Sequence, residues 1–290
     1  MTPPGRWCLV VPVKRLALAK TRLAVAAGEQ RADLALAFAL DTVEAALACD
    51  RVRAVIAVTD EPAASRLLLE LGAAVVADRP DAGLNPALVH GARAARQTHP
   101  DCGLGALSAD LPALRPGELA LVLDRAEAHD VCFVRDAGHD GTTLLLARPG
   151  ARLAPAFGPG SAERHAARGA VELLGTDFVS LRRDVDTEDD LTAASAIGLG
   201  PRSVDVVKRL DRGPVRLTGV QATVRSYDPG NRSGSVLLDD GTELPYDGLA
   251  LLGSHVRLLR SGQRVRVELA GSGAEVRVHF LTIATLPDRR

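Results

Sequence analysis

Apolar and polar positions follow two different periods along the first two thirds of the chain. Short apolar or β-branched runs of strand length recur at 7–13, 52–59, 74–77 and 103–108. The segments between them carry apolar residues at helical spacing, at 31–49, 62–71, 85–97 and 116–128. Strands that alternate with helices in this way indicate βαβ units. We therefore predict an α/β domain with a mostly parallel central sheet and helices on both of its faces.

The pattern changes after about residue 200. From 215 onward, short runs rich in Val, Leu and Arg are separated by turn sequences, at 228–231, 239–241 and 271–273. Closely spaced strands with such turns are typical of a small β-barrel or β-sandwich. We predict a larger α/β domain over 1–200, a linker over 198–212 and a β domain over 213–290.

Composition narrows the class of partner. The formal net charge of −1 and the pI near 6.7 provide no overall attraction to nucleic acid or to an anionic membrane surface. The four cysteines are widely spaced and form no Cys-x-x-Cys pair, and no apolar run approaches the roughly 20 residues that span a bilayer. We expect a reduced, cytoplasmic protein without a membrane partner, whose ligands bind at local sites.

The first candidate for such a site is the basic segment that directly follows the first predicted strand. It contains Lys14, Lys20 and Arg22. Ligands of open parallel sheets bind beyond the carboxyl ends of the strands, so these side chains are placed to hold a polyphosphate. The alternative is a solvated basic face of a short helix. The position after a strand favours phosphate binding.

Two acidic segments form the second candidate. Asp110 closely follows an apolar strand, where a carboxylate can bind Mg²⁺ or, alternatively, cap a helix or start the turn at Pro112. Asp184 and Asp186 alternate around Val185 in an extended segment. Thr187 and Asp190 have the spacing of a capping box, so we interpret the acidic residues 188–190 as structural. Asp186 is then the carboxylate left for a metal.

The third candidate consists of two segments that contain small residues, 141–143 and 157–165. Small residues let backbone N–H groups approach a ligand closely, and Ser161 lies where a helix should begin, which is a favourable place for an anion. The ordinary alternative is a turn with a serine N-cap.

Taken together, the segments over about 6–197 resemble the CofC/FbiD family of guanylyltransferases, which act on 2-phospholactate or phosphoenolpyruvate in coenzyme F-420 biosynthesis. The motifs that carry the resemblance are Val-Pro-Val-Lys14, Ala-Lys20-Thr-Arg22-Leu, Gly83-Leu-Asn85-Pro, Ser108-Ala-Asp110-Leu-Pro, Gly141-Thr142, Phe157-Gly158-Pro-Gly-Ser161 with His165, and Asp184-Val-Asp186-Thr. The resemblance implies a Rossmann-like, three-layer nucleotidyltransferase domain of the glycosyltransferase-A type.

The resemblance also implies site roles. Lys20 and Arg22, with Lys14, would contact the phosphates of GTP, and Asn85 would lie near the nucleoside. Asp110 and Asp186 would hold Mg²⁺. Thr142, Gly158 and Ser161 would receive a phosphorylated three-carbon acid such as phosphoenolpyruvate, 2-phospho-L-lactate or 3-phosphoglycerate. The product would pass to a downstream transferase, and a homodimer is a further expectation.

The chain departs from the family pattern at Thr143, where an Asn usually follows the Gly-Thr pair, so contacts to the acceptor can differ there. The same fold also supports sugar-phosphate and molybdopterin nucleotidyltransferases, which are the alternative enzymes. His139 and His165 lie nearest to the proposed site in sequence. We interpret both as hydrogen-bonded structural histidines and assign no general base.

The tail resembles a cold-shock-type OB barrel but lacks its aromatic surface. Base stacking requires aromatic side chains, and only Tyr227 and Tyr246 are available as platforms. Residues 203–290 contain 13 basic and 10 acidic side chains, a net charge of +3. An RNA-binding protein that acts through this tail is the hypothesis from a different class, and we do not expect nucleic acid as a partner.

Overall fold

The computed structural model describes residues 6–13, 31–79, 81–211, 217–252, 254, 256–270 and 276–283. The chain divides into two compact units, Met1–Lys208 and Arg209–Arg290. Each unit has its own hydrophobic core. The basic residues Lys14, Lys20 and Arg22 lie outside the described residues, so their predicted contacts with GTP stay predictions.

The larger unit is built on a seven-stranded sheet with the order β3-β2-β1-β4-β6-β5-β7. β1 pairs in parallel with both β2 and β4, and its residues are almost all fully buried, as expected of a strand covered on both faces. The strands are β1 (Trp7–Pro12), β2 (Val52–Val58), β3 (Ala74–Val76), β4 (Gly103–Leu107), β5 (Val131–Arg135), β6 (Thr142–Ala147) and β7 (Val171–Glu172).

Helices cover both faces of this sheet. One core packs α1, α2 and α4 against one face, and a second core packs α3 and α5 against the other. The helices are α1 (Arg31–Leu47), α2 (Pro62–Glu70), α3 (Leu84–Thr98), α4 (Pro116–Ala126), α5 (Ser161–Ala167), α6 (Val179–Arg182), α7 (Glu188–Ile197) and α8 (Pro201–Asp211). The predicted three-layer α/β domain with a mostly parallel sheet is confirmed, and its early elements agree with the sequence pattern to within a few residues.

Two features differ from the sequence-based expectation. β6 runs antiparallel to both β4 and β5, so the sheet is mixed at this point. The predicted linker over 198–212 is mostly the helix α8, which begins with a proline and is tied to α1. The buried Asp41 carboxylate accepts hydrogen bonds from the backbone N–H of Ser203, at 2.8 Å, and of Arg202, at 3.3 Å. An unpaired carboxylate in that position would be costly, which explains why α8 packs here instead of forming a flexible connection.

The smaller unit contains a five-stranded antiparallel sheet with the order β10-β9-β8-β11-β12. Its strands are β8 (Leu217–Asp228), β9 (Ser233–Leu238), β10 (Glu243–Tyr246), β11 (Arg264–Ala270) and β12 (Arg277–Ile283). This agrees with the predicted small β domain, whereas the OB-barrel assignment stays a prediction.

Tyr246 is not the exposed stacking platform that the sequence suggested. It is buried in the core of the smaller unit, and its hydroxyl donates to the carbonyl of Ser226 at 3.1 Å. In the part of the chain that the structure describes, no helix has the length and apolar character to cross a membrane.

Candidate active site

The two acidic segments predicted from the sequence lie side by side. Asp110 belongs to the loop that follows β4, and Asp184 and Asp186 belong to the loop between α6 and α7. The backbone N–H of Val185 donates to the Asp110 carbonyl at 3.1 Å, which joins the loops. Residues two apart in an extended segment point to the same side, so the loop can present Asp184 and Asp186 together. The sheet edge beyond β4 therefore carries several carboxylates.

Asp184 reports the electrostatic character of this edge. Burial, followed by the negative charges of Asp110, Asp136 and Asp186, raises the pKa of its carboxyl to about 7. The Asp184 carboxylate is therefore close enough to the other three to be repelled by them. A cation would relieve that repulsion, whereas an additional anion would increase it.

The donor chemistry of this cluster fits a hard divalent cation. All four side chains offer carboxylate oxygens, the ligands that Mg²⁺ prefers, and Mg²⁺ commonly uses only one or two carboxylates together with substrate phosphates and water. Among the described residues, no group of three or more His, Cys, Asp or Glu side chains is placed so that it could hold a metal ion.

The acidic residues that follow Asp186 have the structural role expected of them. Thr187 is the N-cap of α7, and its hydroxyl accepts from the Asp190 N–H at 3.2 Å while the Asp190 carboxylate accepts from the Thr187 N–H at 3.0 Å. This is the predicted capping box. Glu188, Asp189 and Asp190 occupy the first turn of the helix, where negative charge is favourable.

A tight turn positions the start of β6, where Thr142 lies. The Asp136 carboxylate accepts from the backbone N–H groups of Asp140, at 3.0 Å, and Gly141, at 2.8 Å. A Cβ at Gly141 would lie only 2.5 Å from an Asp136 carboxylate oxygen, so this position requires glycine. Asp136 thereby connects the acidic cluster to the strand that carries Thr142.

Buried His165 links Thr142 to the loop before α5. Its Nε2 accepts from the backbone N–H of Ala156 at 2.9 Å, and its Nδ1 lies 2.9 Å from the Thr142 hydroxyl oxygen. The ring also packs against Phe133 and Phe157. Burial, followed by the positive charges of Arg168 and Arg164, lowers the pKa of His165 to about 4. The interpretation of His165 as a hydrogen-bonded structural histidine is therefore confirmed.

The partners of His165 determine the direction of these hydrogen bonds. Because Nε2 accepts a hydrogen bond from a backbone amide, the proton of the neutral ring must lie on Nδ1. Nδ1 then donates to the Thr142 oxygen, and the hydroxyl hydrogen of Thr142 is left to point at another acceptor. Thr142 is thus prepared to donate a hydrogen bond to an anionic group.

Charged side chains hold the loop from Phe157 to Ser161 in place through hydrogen bonds to its backbone. The Arg164 guanidinium donates to the carbonyls of Ala156, at 2.8 Å, and Gly158, at 3.2 Å. The Asp140 carboxylate accepts from the Gly160 N–H at 2.9 Å. Gly158 has a φ of +119°, a conformation that residues other than glycine rarely adopt. The predicted acceptor residues Gly158 and Ser161 are joined directly, since the Ser161 N–H donates to the Gly158 carbonyl at 3.0 Å.

Ser161 itself is the least satisfied member of this loop. Its side chain is 1% exposed, and its hydroxyl has no hydrogen-bond partner among the described residues. Gly160, not Ser161, is the N-cap of α5, so the alternative of an ordinary serine N-cap is wrong. A buried hydroxyl without a partner costs stability, and such groups in native proteins call for an explanation such as an absent ligand.

Asn85, at the start of α3, makes both of its amide bonds to the same loop. Its Nδ2 donates to the Phe157 carbonyl at 3.1 Å, and its Oδ1 accepts from the Phe157 N–H at 2.8 Å. The side chain therefore fixes the position of Phe157 relative to α3. The contact of Asn85 with a nucleoside stays a prediction.

Comparison with known proteins gives the site a family. Residues 7–214 match the family described as "Guanylyl transferase CofC like". The chain belongs to this family. The CofC-like match ends before β8 and so concerns the larger unit.

Close relatives of the chain carry a common name. It is 58% identical to phosphoenolpyruvate guanylyltransferase of Thermomonospora curvata, over 70% of this chain and 90% of that protein. It is 55% identical to the protein of the same name from Streptomyces scabiei, over 71% of this chain and 97% of that protein. The prediction of a guanylyltransferase, an enzyme of the nucleotidyltransferase class, is confirmed.

A solved structure supports the fold alone. A putative nucleotide-diphospho-sugar transferase from Desulfovibrio desulfuricans G20 superposes with a TM-score of 0.53 at 16% identity, over 71% of this chain and 96% of that chain. The nucleotidyltransferase-like architecture of the larger unit is thereby confirmed.

Within the CofC-like site, the sequence analysis missed the roles of Asp184 and Asp136 and did not identify the partners of His165. Asp186 was chosen as the metal ligand instead of Asp184, although the two residues are two apart in an extended segment and point to the same side. Asp136 gave no local signal, because its role depends on a turn that closes five residues later. His165 was part of a motif, but its two partners lie 9 and 23 residues away along the chain and could not be inferred from spacing.

Proposed function

We propose that this CofC-like enzyme transfers the guanylyl group of GTP to phosphoenolpyruvate, with Mg²⁺ as the cofactor, as a step in coenzyme F-420 biosynthesis. The observation that supports an anionic acceptor is the buried hydroxyl of Ser161, which has no partner among the described residues. The names of the two relatives favour phosphoenolpyruvate over 2-phospho-L-lactate and 3-phosphoglycerate. The product then passes to a downstream transferase.

The acceptor loop would recognise the phosphorylated acid through neutral donors. The Thr142 hydroxyl, directed by His165, and the Ser161 hydroxyl each supply a hydrogen to an oxyanion. Gly158 supplies close backbone approach. Since these donors carry no charge, the negative charge of the acceptor must be offset elsewhere, by the cation and by the basic residues Lys14, Lys20 and Arg22.

The reaction forms a phosphoanhydride bond between an oxygen of the acceptor phosphate and the α-phosphorus of GTP. The bond between the α-phosphorus and the bridging oxygen breaks, and pyrophosphate leaves with that electron pair. No general base is needed, because a phosphate monoester with a second pKa of about 6 is already mostly dianionic near neutral pH. Lys20 and Arg22 are assigned to stabilise the charge that develops on the phosphates.

Asp110 and Asp186, together with Asp184, are the residues that would hold Mg²⁺. When bound, the cation would offset charge on the phosphates of GTP and the acceptor. The repulsion that raises the pKa of Asp184 supports this assignment, because a cation among these carboxylates would stabilise their ionised forms.

The test is to mix the full chain with GTP and Mg²⁺ and to follow pyrophosphate release with each of the three acids. We expect release with phosphoenolpyruvate and little with the other two. Replacement of GTP by ATP, CTP or UTP serves as the nucleotide control, and omission of the acid controls for hydrolysis. Equal rates with all three acids would contradict the assigned acceptor, and release that needs no acid would contradict the transfer itself.

The matched site control is Ser161→Ala compared with Ser195→Ala. Ser195 lies on α7, exposed, where its hydroxyl donates to the Leu191 carbonyl at 2.7 Å. We expect Ser161→Ala to raise KM for phosphoenolpyruvate while leaving KM for GTP unchanged, and Ser195→Ala to change neither. An unchanged KM in the Ser161 variant would show that the acceptor binds elsewhere.

A further inference from the structure

A cavity on the α3 side of the larger unit carries an unusual concentration of positive charge. Its volume is about 360 Å³, which falls within the range of about 300–1,000 Å³ typical of small-molecule sites. Four arginines line it, two from α3 and two from the segments that flank α5: Arg93, Arg96, Arg152 and Arg168. Leu104 and Leu153 are among its apolar lining residues.

The arginines of this cavity have no acidic partners in the part of the chain that the structure describes. None of the four is in an ion pair there, although many other arginines of the unit are, for example Arg66 with Glu70 and Arg148 with Asp130. The lining elements explain the difference: α3 contains no carboxylate, and neither does the segment 148–160. Arg93, Arg152 and Arg168 are exposed, so water screens part of the repulsion among the four charges, and a bound anion would offset it further.

Backbone contacts hold two of these guanidinium groups in place. Arg96 donates to the Ala151 carbonyl at 3.2 Å, and Arg168 donates to the Ala154 carbonyl at 3.3 Å. A guanidinium has five N–H donors, so each group keeps donors for a ligand. Arginines already held by the protein lose less conformational freedom when they bind an oxyanion.

The cavity is separate from the candidate active site. Leu104, which lines it, lies at the amino end of β4, whereas Asp110 follows the carboxyl end. At about 3.3 Å per residue, the strand from Leu104 to Leu107 alone separates the two by about 10 Å. None of the predicted site residues lines the cavity.

We propose that this cavity is a second anion-binding site, for a small phosphorylated ligand with at least two negative charges. One guanidinium group can bind two phosphate oxygens at the same time, so this cavity suits a ligand with several such oxygens. The apolar lining from Leu104 and Leu153 accommodates an uncharged part of the ligand. The volume suits a small molecule and not a folded partner.

The test uses inorganic pyrophosphate as the probe, in metal-free buffer, with the full chain. Calorimetry measures its affinity, and hydrogen–deuterium exchange locates its binding. The pocket variant is Arg96→Gln/Arg152→Gln, and the matched control is Arg66→Gln/Arg148→Gln, which removes the same charge from ion-paired surface positions. Guanylyl transfer is measured in all three proteins as a check of folding and of the active site.

We expect pyrophosphate to slow exchange in the segments 89–98 and 151–155 of the wild type and of the control. In the pocket variant this protection should disappear, and the affinity assigned to these segments should fall at least about tenfold, the scale of one lost charged hydrogen bond. Guanylyl transfer should remain near the wild-type level. A second pair, Arg93→Gln/Arg152→Gln, keeps the contact between Arg96 and Ala151 and should behave in the same way if the first pair folds poorly.

Two results would overturn the proposal. One is the absence of protection at 89–98 and 151–155 in the wild type at millimolar pyrophosphate, which would mean that the arginines are only solvated surface groups. The other is an equal loss of affinity in the control, which would mean that pyrophosphate responds to overall charge and not to this cavity. Sulfate has less negative charge than pyrophosphate and one anionic centre instead of two, so it should bind more weakly.

Discussion

Acidification should destabilise the larger unit through one residue, His165. Burial lowers the pKa of this ring from 6.5 to about 4 in the folded chain. The unfolded chain therefore binds the proton first, so the stability from the neutral ring is fully present above about pH 6.5 and is lost as the pH falls towards 4. The complete shift corresponds to about 3 kcal/mol, of which about 2 kcal/mol is lost between pH 7 and pH 5.

The physical reason is that the neutral ring makes both of its hydrogen bonds as a specific tautomer. A proton added at Nε2 would place two donors, Nε2–H and the Ala156 N–H, against each other at 2.9 Å. The positive charges of Arg168 and Arg164, which contribute to the lowered pKa of His165, would also oppose the new charge on the ring. The surroundings contributed by Thr142, Phe133 and Phe157 provide no anion to offset it.

The assay is urea unfolding at pH 7 and at pH 5. The fluorescence of Trp7, the only tryptophan, reports on the larger unit alone, since it lies buried in β1. The comparison is with His165→Gln, whose amide can accept and donate but does not titrate, and with His139→Gln at an exposed position. Titration of carboxyl groups is common to all three proteins and cancels.

We expect the wild type and His139→Gln to lose about 2 kcal/mol more than His165→Gln does between the two pH values. A difference under about 0.5 kcal/mol would refute the reasoning, because it would mean that His165 keeps a nearly ordinary pKa in the folded chain.

Three further predictions concern the site and its boundary. Ser161→Ala should raise the free energy of unfolding by about 1 kcal/mol, because it removes an unpartnered buried hydroxyl, and a loss of stability in urea unfolding would contradict this. Asp184→Asn should lower turnover at least about tenfold at ordinary Mg²⁺, and near-normal rates would exclude Asp184 from the site. A chain ending at residue 212 should keep guanylyl transfer. One ending at residue 200 should have a lower thermal midpoint, because it loses the α8 backbone N–H groups that donate to buried Asp41. Equal thermal midpoints of the two chains would contradict the role of α8.

The sequence predicted the layers of the larger unit because local patterns decide them. β1 and β2 are apolar runs of strand length, and helices with apolar residues at regular spacing separate the strands. The direction of β6 was not predicted, because the predicted strands ended at 103–108 and included neither β5 nor β6. These two strands form an antiparallel hairpin, since only the residues 136–141 separate them, and the Asp136 carboxylate accepts from the Gly141 N–H within that turn.

The division between the two units falls after Lys208, within the predicted linker, but the helix in this segment was not expected. Gly198 is the C-cap that ends α7. The following segment becomes a helix because Asp41, 162 positions before Ser203, accepts its first N–H groups. A contact between residues so far apart in sequence cannot be anticipated from composition.

The acceptor loop and the acidic cluster of the candidate site differ in how they are stabilised. Mutations in the two parts should therefore affect different kinetic constants. The acceptor loop is held by satisfied hydrogen bonds to Asn85, Arg164 and neutral His165, so its geometry exists before any ligand binds. In the acidic cluster, burial and the neighbouring carboxylates both raise the pKa of Asp184, so its ionised form gains most when positive charge arrives. Changes in the preformed loop should therefore act mainly on KM for the acceptor, because they alter binding in the ground state and the transition state equally. Changes in the cluster should act mainly on kcat, because its charge acts where the reacting phosphates develop charge.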